Sequence, residues 1–113
     1  MVIEMKCLNF KKKFKESLLK GRKTSTLRMG IKDYKVGEIV KVLAGDEEIA
    51  LAKIKEVKLV QWKDIGKKDV LNEGMKRKKD LKRELKNIYG DFDDESVFTQ
   101  IVFKILKERK RWD

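Results

Sequence analysis

The chain of 113 residues has no histidine, no proline and a single cysteine, Cys7. Without histidine it lacks the usual general base and the commonest metal ligand. A lone thiol excludes both a disulfide framework within the chain and a cysteine metal cluster. No metal and no cofactor are expected, and acid–base chemistry is left to Lys, Asp, Glu, Tyr and one thiol. Long apolar runs are also missing. No stretch reaches the roughly 18 residues of a membrane span, and Met1-Val2-Ile3-Glu4-Met5-Lys6 reads as a strand and not as a signal peptide. A cytoplasmic protein with no membrane partner is therefore expected. With few Asn and Gln among many Lys and Glu, the composition suits a thermophile, although the proline-rich loops that often accompany it are missing.

Positive charge is abundant: 30 Lys and Arg against 19 Asp and Glu give a formal charge of +11. The 41% hydrophobic content is enough for a modest core at this length, so the charge does not imply disorder. Such an excess makes polyanions plausible partners. It is concentrated in residues 1–30, with nine basic and two acidic residues, and in residues 60–90, with ten and five. Asp91, Asp93, Asp94 and Glu95 form an acidic counterpatch, while Lys76–Lys79 and Lys107–Arg111 read as solvated faces.

Hydrophobic spacing predicts a mixed chain. Ile3, Met5 and Cys7 alternate with Glu4 and Lys6, which predicts a half-buried strand over 2–8 with Cys7 as a small core residue. Phe10, Phe14 and Leu18 recur at helical spacing and predict a short helix over about 11–20, capped by Gly21. The hydroxyl run Thr24-Ser25-Thr26 reads as a loop. A turn at Tyr34–Glu38 leads to a strand over about 38–43, and Gly45-Asp46 is a hairpin tip. The following strand changes parity between Ile54 and Val57, which predicts a bulge or bend near Lys55-Glu56. Trp62 to Met75 is irregular or briefly helical. Leu81, Leu85, Ile88 and Tyr89 then mark a helix stopped by Gly90. Val97, Thr99, Ile101, Phe103 and Ile105 mark a central strand, and residues 107–113 form a charged tail. Trp62 and Tyr34 read as packing residues, or as stacking platforms at a pocket rim. Trp112 has no assigned role. No repeat or linker divides the chain, so one α+β domain over residues 1–113 is expected.

The densest chemistry lies in Gly21-Arg22-Lys23-Thr24-Ser25-Thr26-Leu27-Arg28. A glycine, three cations and three hydroxyls in eight residues offer donors to an anion, or a lysine beside an oxygen nucleophile. The segment is no P-loop, because its lysine follows the glycine by two residues and no earlier glycine precedes it. Gly21-x-Lys23-x-x-Thr26-x-Arg28 resembles the G-x-K-x-x-T-x-R signature of the ASCH domain, a branch of the PUA-like β-barrel superfamily. The resemblance continues through Tyr34-Lys35-Val36-Gly37-Glu38, Asn72-Glu73-Gly74-Met75 and Tyr89-Gly90-Asp91-Phe92, nearly the whole chain. It implies a small PUA-like β-barrel with flanking helices. One bacterial group of similarly short ASCH proteins hydrolyses N4-acylated cytosine nucleosides with the motif lysine, the motif threonine and a later glutamate. By position these are Lys23, Thr26 and Glu73, with Gly21, Arg22, Ser25 and Arg28 as substrate- or RNA-binding candidates. Other members of the superfamily are RNA-binding, and nuclease activity has been proposed for some.

Amide hydrolysis needs a nucleophile, a proton shuttle and an oxyanion donor. Beside a threonine hydroxyl, Lys23 must be depressed from the ordinary value of about 10.4 to act as a base. Arg22, Arg28 and burial act in that direction, whereas tight pairing with Glu73 acts against it. Glu73 either orients Lys23 or protonates the leaving amine. Each residue also has a plainer role open to it. Lys23 would be a solvated lysine, Thr26 a loop hydroxyl bonded to backbone, Glu73 a first-turn acid of a helix, and Arg28 a brace. The expected partner is a nucleoside or RNA, and three activities follow: an N4-acylcytidine amidohydrolase, a non-catalytic RNA-binding module, and a ribonuclease.

Overall fold

A computed structural model describes residues 5–108 of the chain. Five strands form one mixed sheet in the order β1-β3-β4-β5-β2, curled into a half-barrel with β1 and β2 at its edges. They are β1 (Cys7–Phe10), β2 (Ser25–Met29), β3 (Ile39–Ala44), β4 (Glu47–Gln61) and β5 (Val97–Glu108). Only β1 and β3 run parallel, and the other neighbours are antiparallel. Helix α1 (Lys15–Leu19) follows β1, and α2 (Lys67–Asn72) and α3 (Lys78–Tyr89) fill the connection from β4 to β5. This is an α+β arrangement of the PUA-like kind.

The half-barrel closes around two apolar clusters, one on each face of β5. Leu8, Leu18, Val40, Val42, Ile54, Ile101 and Phe103 fill the inside of the curl. Leu27, Trp62, Ile65, Val70, Leu81, Leu85 and Phe98 lie between the sheet and the α2–α3 layer. Because β5 is covered on both faces, Phe98, Thr99, Gln100 and Ile101 are consecutive buried residues. An alternating reading assigns only one of those faces to the core. Trp62 belongs to the second cluster, edge-on to Phe92 at 5.3 Å between ring centres. Tyr34 donates its hydroxyl to the Cys7 carbonyl at 2.8 Å and packs against the first cluster. Both are packing residues.

The expected parity change in β4 is a register shift between Ile54 and Glu56, so that Ile54 opposes Phe103 and Val57 opposes Ile101 on one face. Two further shifts, at Val42/Leu43 against β4 and at Leu51/Ala52 against β5, add to the curl. Gly45 turns the β3–β4 hairpin at φ +65°, and Gly90 ends α3 at φ +83°.

Five expectations need correction. The Thr24-Ser25-Thr26 segment is not a loop, because Ser25–Met29 pair with Phe98–Val102 of β5. A strand seventy residues away supplies ladder partners that local propensity does not register. In β1 the inward residues are Leu8 and Phe10, opposite Val42 and Ala44, and Cys7 is only half-buried. The expected helix over 11–20 is a 3-10 turn at Lys12–Phe14 followed by α1, with Phe10 left in the strand. Ile88 is half exposed, although it sits on the expected helix face. Backbone pairing of β5 also runs beyond Leu106 to Glu108. Val2, Ile3 and Glu4 of the expected first strand, and residues 109–113 of the tail with Trp112, lie outside the described residues.

Phe98 touches Trp62, Tyr89 and Phe92 and is fully buried. Phe98→Ala is expected to cost about 3–5 kcal/mol in urea unfolding. Leu59→Ala, on the exposed side of β4, should change stability by no more than about 0.5 kcal/mol.

Candidate functional site

The motif segment enters β2 directly from the end of α1. Gly21 adopts φ +74° in that turn, and the backbone N–H groups of Arg22 and Lys23 both donate to the Ser17 carbonyl. Lys23 then forms an isolated antiparallel bridge with Glu73, the residue that caps the C-terminal end of α2. Thr24 N–H donates to the Asn72 carbonyl at 2.7 Å, securing the same crossing. Gly74 follows at φ +81°, where a Cβ would stand 3.3 Å from the Lys23 Cβ. The backbone conformation favours glycine there, and the close approach to Lys23 adds to that preference.

This crossing buries a charged pair. Lys23 Nζ lies 3.6 Å from Glu73 Oε1 and donates to the Glu73 carbonyl at 3.1 Å. The two residues are 4% and 2% exposed, which removes both the solvated-lysine and the first-turn-acid readings. Glu73 is further held by the Ser25 hydroxyl, which donates to Oε2 at 3.0 Å, and by the Leu27 backbone N–H. Lys23 Nζ also sits over the Phe14 ring at 5.0 Å and the Phe10 ring at 5.7 Å. Burial pushes the Lys23 ammonium below its ordinary value and Arg28 adds to that, while Glu73 opposes it. The same burial pushes the Glu73 carboxyl up, against the opposing influence of Lys23 and the Ser25 hydrogen bond. Both shifts favour the neutral forms.

Beside the pair, Arg28 donates from Nε to Thr26 Oγ1 at 3.0 Å, and its guanidinium lies 4.9 Å from the centre of the Phe10 ring. Thr26 therefore presents an oxygen already bonded to a cation. Lys23, Thr26, Arg28 and Glu73 open together onto a cavity of about 300 Å³ between β1, β2 and α3. Apolar walls come from Phe10, Phe14, Leu85 and Tyr89. The remaining motif residues stand apart from the cavity. Ser25 is 1% exposed behind Glu73, and Gly21 and Arg22 are exposed in the turn after α1. Neither Tyr34 nor Trp62 lines the cavity.

Phe10, Phe14 and Glu84 are cavity residues that the sequence does not single out. The two phenylalanines carry a signal, their apolar spacing, but it points to helix packing. Glu84 sits in a lysine-rich helix and looks solvated in sequence. Among the described residues no cluster of His, Cys, Asp and Glu could hold a metal ion, and no helix is long and apolar enough to cross a membrane.

Removing one member of a buried pair strands the other. Glu73→Ala is expected to lower stability by about 3 kcal/mol, since it also leaves Ser25 and the Leu27 N–H without their acceptor. The double variant Lys23→Met/Glu73→Leu should be less destabilised than Glu73→Ala alone, which denaturant titration of the three proteins would show.

The half-barrel and its helix layer are shared with solved structures. A protein from Enterococcus faecalis V583 superposes with a TM-score of 0.75 at 14% identity, over 98% of this chain and 86% of its own. The ASCH protein of Zymomonas mobilis gives 0.67 at 10% identity, over 90% and 70%. An ASCH domain from Lactobacillus crispatus JV V101 gives 0.62 at 18% identity, over 80% and 69%. At such identities the likeness is one of fold. No curated protein matches the chain in sequence. The sequence model of the ASCH domain, however, matches residues 4–107, a span that holds the motif, the crossing at Glu73 and all five strands except the last residue of β5. With fold and sequence in agreement, the chain belongs to the ASCH domain family.

Proposed function

We propose that the cavity recognises a nucleobase or nucleoside and that its reaction is hydrolysis of an N4-acylated cytidine. The reading is carried by one observation: Lys23 and Glu73, fifty residues apart, are buried together at 3.6 Å in a cavity they share with Thr26 and Arg28. The apolar walls suit the flat face of a base, and the polar residues converge on one side.

Each residue has a definite task in this reaction. Neutral Lys23 accepts the Thr26 hydroxyl proton as the oxygen attacks the acyl carbon. Arg28, whose Nε is already bonded to that oxygen, eases its deprotonation, and the rest of its guanidinium is the donor for the charge that develops on the acyl oxygen. Collapse of the tetrahedral adduct breaks the carbon–nitrogen bond, and the amine of cytidine leaves with a proton returned from Lys23. Water then hydrolyses the threonyl ester, releasing a carboxylate and restoring the hydroxyl. Glu73 orients Lys23, an assignment supported by its side-chain and backbone contacts to the ammonium. Ser25 supports Glu73 from behind, outside the cavity.

The alternative is RNA binding without catalysis, which the +11 charge favours. Salt separates the two readings. A strand held by phosphates should lose affinity with a log–log slope of about −0.7 per neutralised phosphate, whereas turnover of an uncharged nucleoside should be nearly independent of salt.

Hydrolysis of N4-acetylcytidine, followed by absorbance, is expected for the wild type and should fall by about 100-fold or more in Lys23→Ala and Thr26→Ala. Absence of turnover over a broad pH and temperature range would leave recognition alone. The pH profile makes a second demand. Because the lysine acts in its neutral form and burial lowers its pKa, kcat/KM should rise with pH through a midpoint below 10.5. In Glu73→Gln the opposing charge is gone, so the rising limb of the residual activity should move to lower pH.

A further inference from the structure

Glu84 has no step of its own in that chemistry, although its charge opposes the lowering of Lys23, and it is the second buried carboxylate of the cavity wall, 8% exposed as a residue. From α3 it reaches across to the corner that follows β1. There Lys11 Nζ lies 2.8 Å from Oε1 and Lys13 Nζ lies 2.7 Å from Oε2. Burial alone would raise the Glu84 carboxyl, and the ammonium groups of Lys11 and Lys13 beside it outweigh that and bring it below the ordinary value. Oε1 has almost no contact with solvent. Both lysines are about half exposed, and Lys11 lines the cavity.

Charge on the cavity wall contrasts with charge on the chain. Lys11, Lys23 and Arg28 face Glu73 and Glu84 there, so the wall is close to balanced in a protein of net charge +11. Were Glu84 uncharged, Lys11 and Lys13 would stand at the rim as two ammonium donors suited to a phosphate. With Glu84 in place, a phosphate must either displace a carboxylate whose Oε1 is out of contact with solvent, or approach it at short range. Both are unfavourable.

We propose that Glu84 is a specificity-determining residue which, by engaging Lys11 and Lys13, makes the cavity take uncharged nucleosides in preference to nucleotides and nucleic-acid strands. This rests on the nucleoside reading above and specifies its substrate class.

The test is calorimetric titration of wild type and Glu84→Gln with cytidine and with cytidine 5′-monophosphate, at low and high salt. Wild type is expected to bind cytidine at least as tightly as the monophosphate. Glu84→Gln should shift the ratio of affinities toward the monophosphate by about tenfold at low salt, and adding Lys11→Ala should remove the gain. A wild-type preference for the monophosphate of tenfold or more overturns the proposal, and this comparison needs no variant to fold. A ratio unmoved in folded Glu84→Gln overturns it as well. If wild type binds neither compound, the nucleoside reading fails, and inorganic phosphate then tests Glu84 separately. Saturable thermal stabilisation by phosphate, gained in Glu84→Gln and lost again with Lys11→Ala, would support the screening of the lysines. Its absence would overturn it.

Discussion

The burial of Lys23 against Glu73 is the constraint around which the cavity is arranged. Two groups that would be fully charged in water are held in a crossing between the start of β2 and the end of α2, where neither can be solvated. Such an arrangement persists only if the remaining polar atoms find partners. The Ser25 hydroxyl, the Leu27 N–H and the Glu73 carbonyl fill that role. The need for a close backbone crossing also fixes Gly74, and the need to shield the ammonium accounts for Phe10 and Phe14 above it. Much of the cavity wall follows from one buried pair.

The half-barrel provides the rigidity this requires. β2 is an edge strand, but its five residues are locked to β5, which is itself covered on both faces. Side chains of β2 therefore point in directions set by an interior strand. Thr26 and Arg28, two residues apart, share the cavity side, and Arg28 bonds Thr26 there. The α2–α3 layer brings the other wall, anchored by Val70, Leu81 and Leu85 in the second cluster.

Sequence alone carries a good part of this and misses the rest for physical reasons. Lys23, Thr26, Arg28 and Glu73 are visible because their spacing matches a family signature, and the fold brings all four to one cavity. The bulge beyond Ile54 is visible because apolar residues can change parity within one strand only if an extra residue is inserted or the strand bends. By contrast, β2 is hidden: Ser25 and Thr26 lose their loop preference only because β5 offers them a ladder. The inward face of β1 is hidden because both parities of its sequence carry apolar residues, and register with β3 selects Leu8 and Phe10. Glu84 is hidden for a third reason. An acid among lysines looks solvated until its partners prove to come from a segment 71 residues away.

The crossing at Gly74 also separates the durability of the site from that of the sheet. The isolated bridge between Lys23 and Glu73 and the Thr24–Asn72 hydrogen bond hold a short connection, whereas β4 and β5 share a ladder of eleven residue pairs. Local opening requires only the disruption of what is locally made. The α2–Gly74 connection is therefore joined to β2 by few backbone links, to which the Lys23 and Ser25 hydrogen bonds to Glu73 and the burial of Val70 are added. Loss of those links would return Lys23 and Glu73 to water and dissolve the cavity wall between them. The protein is in this sense a durable scaffold bearing a more perishable centre, and loss of the centre need leave no trace in the sheet.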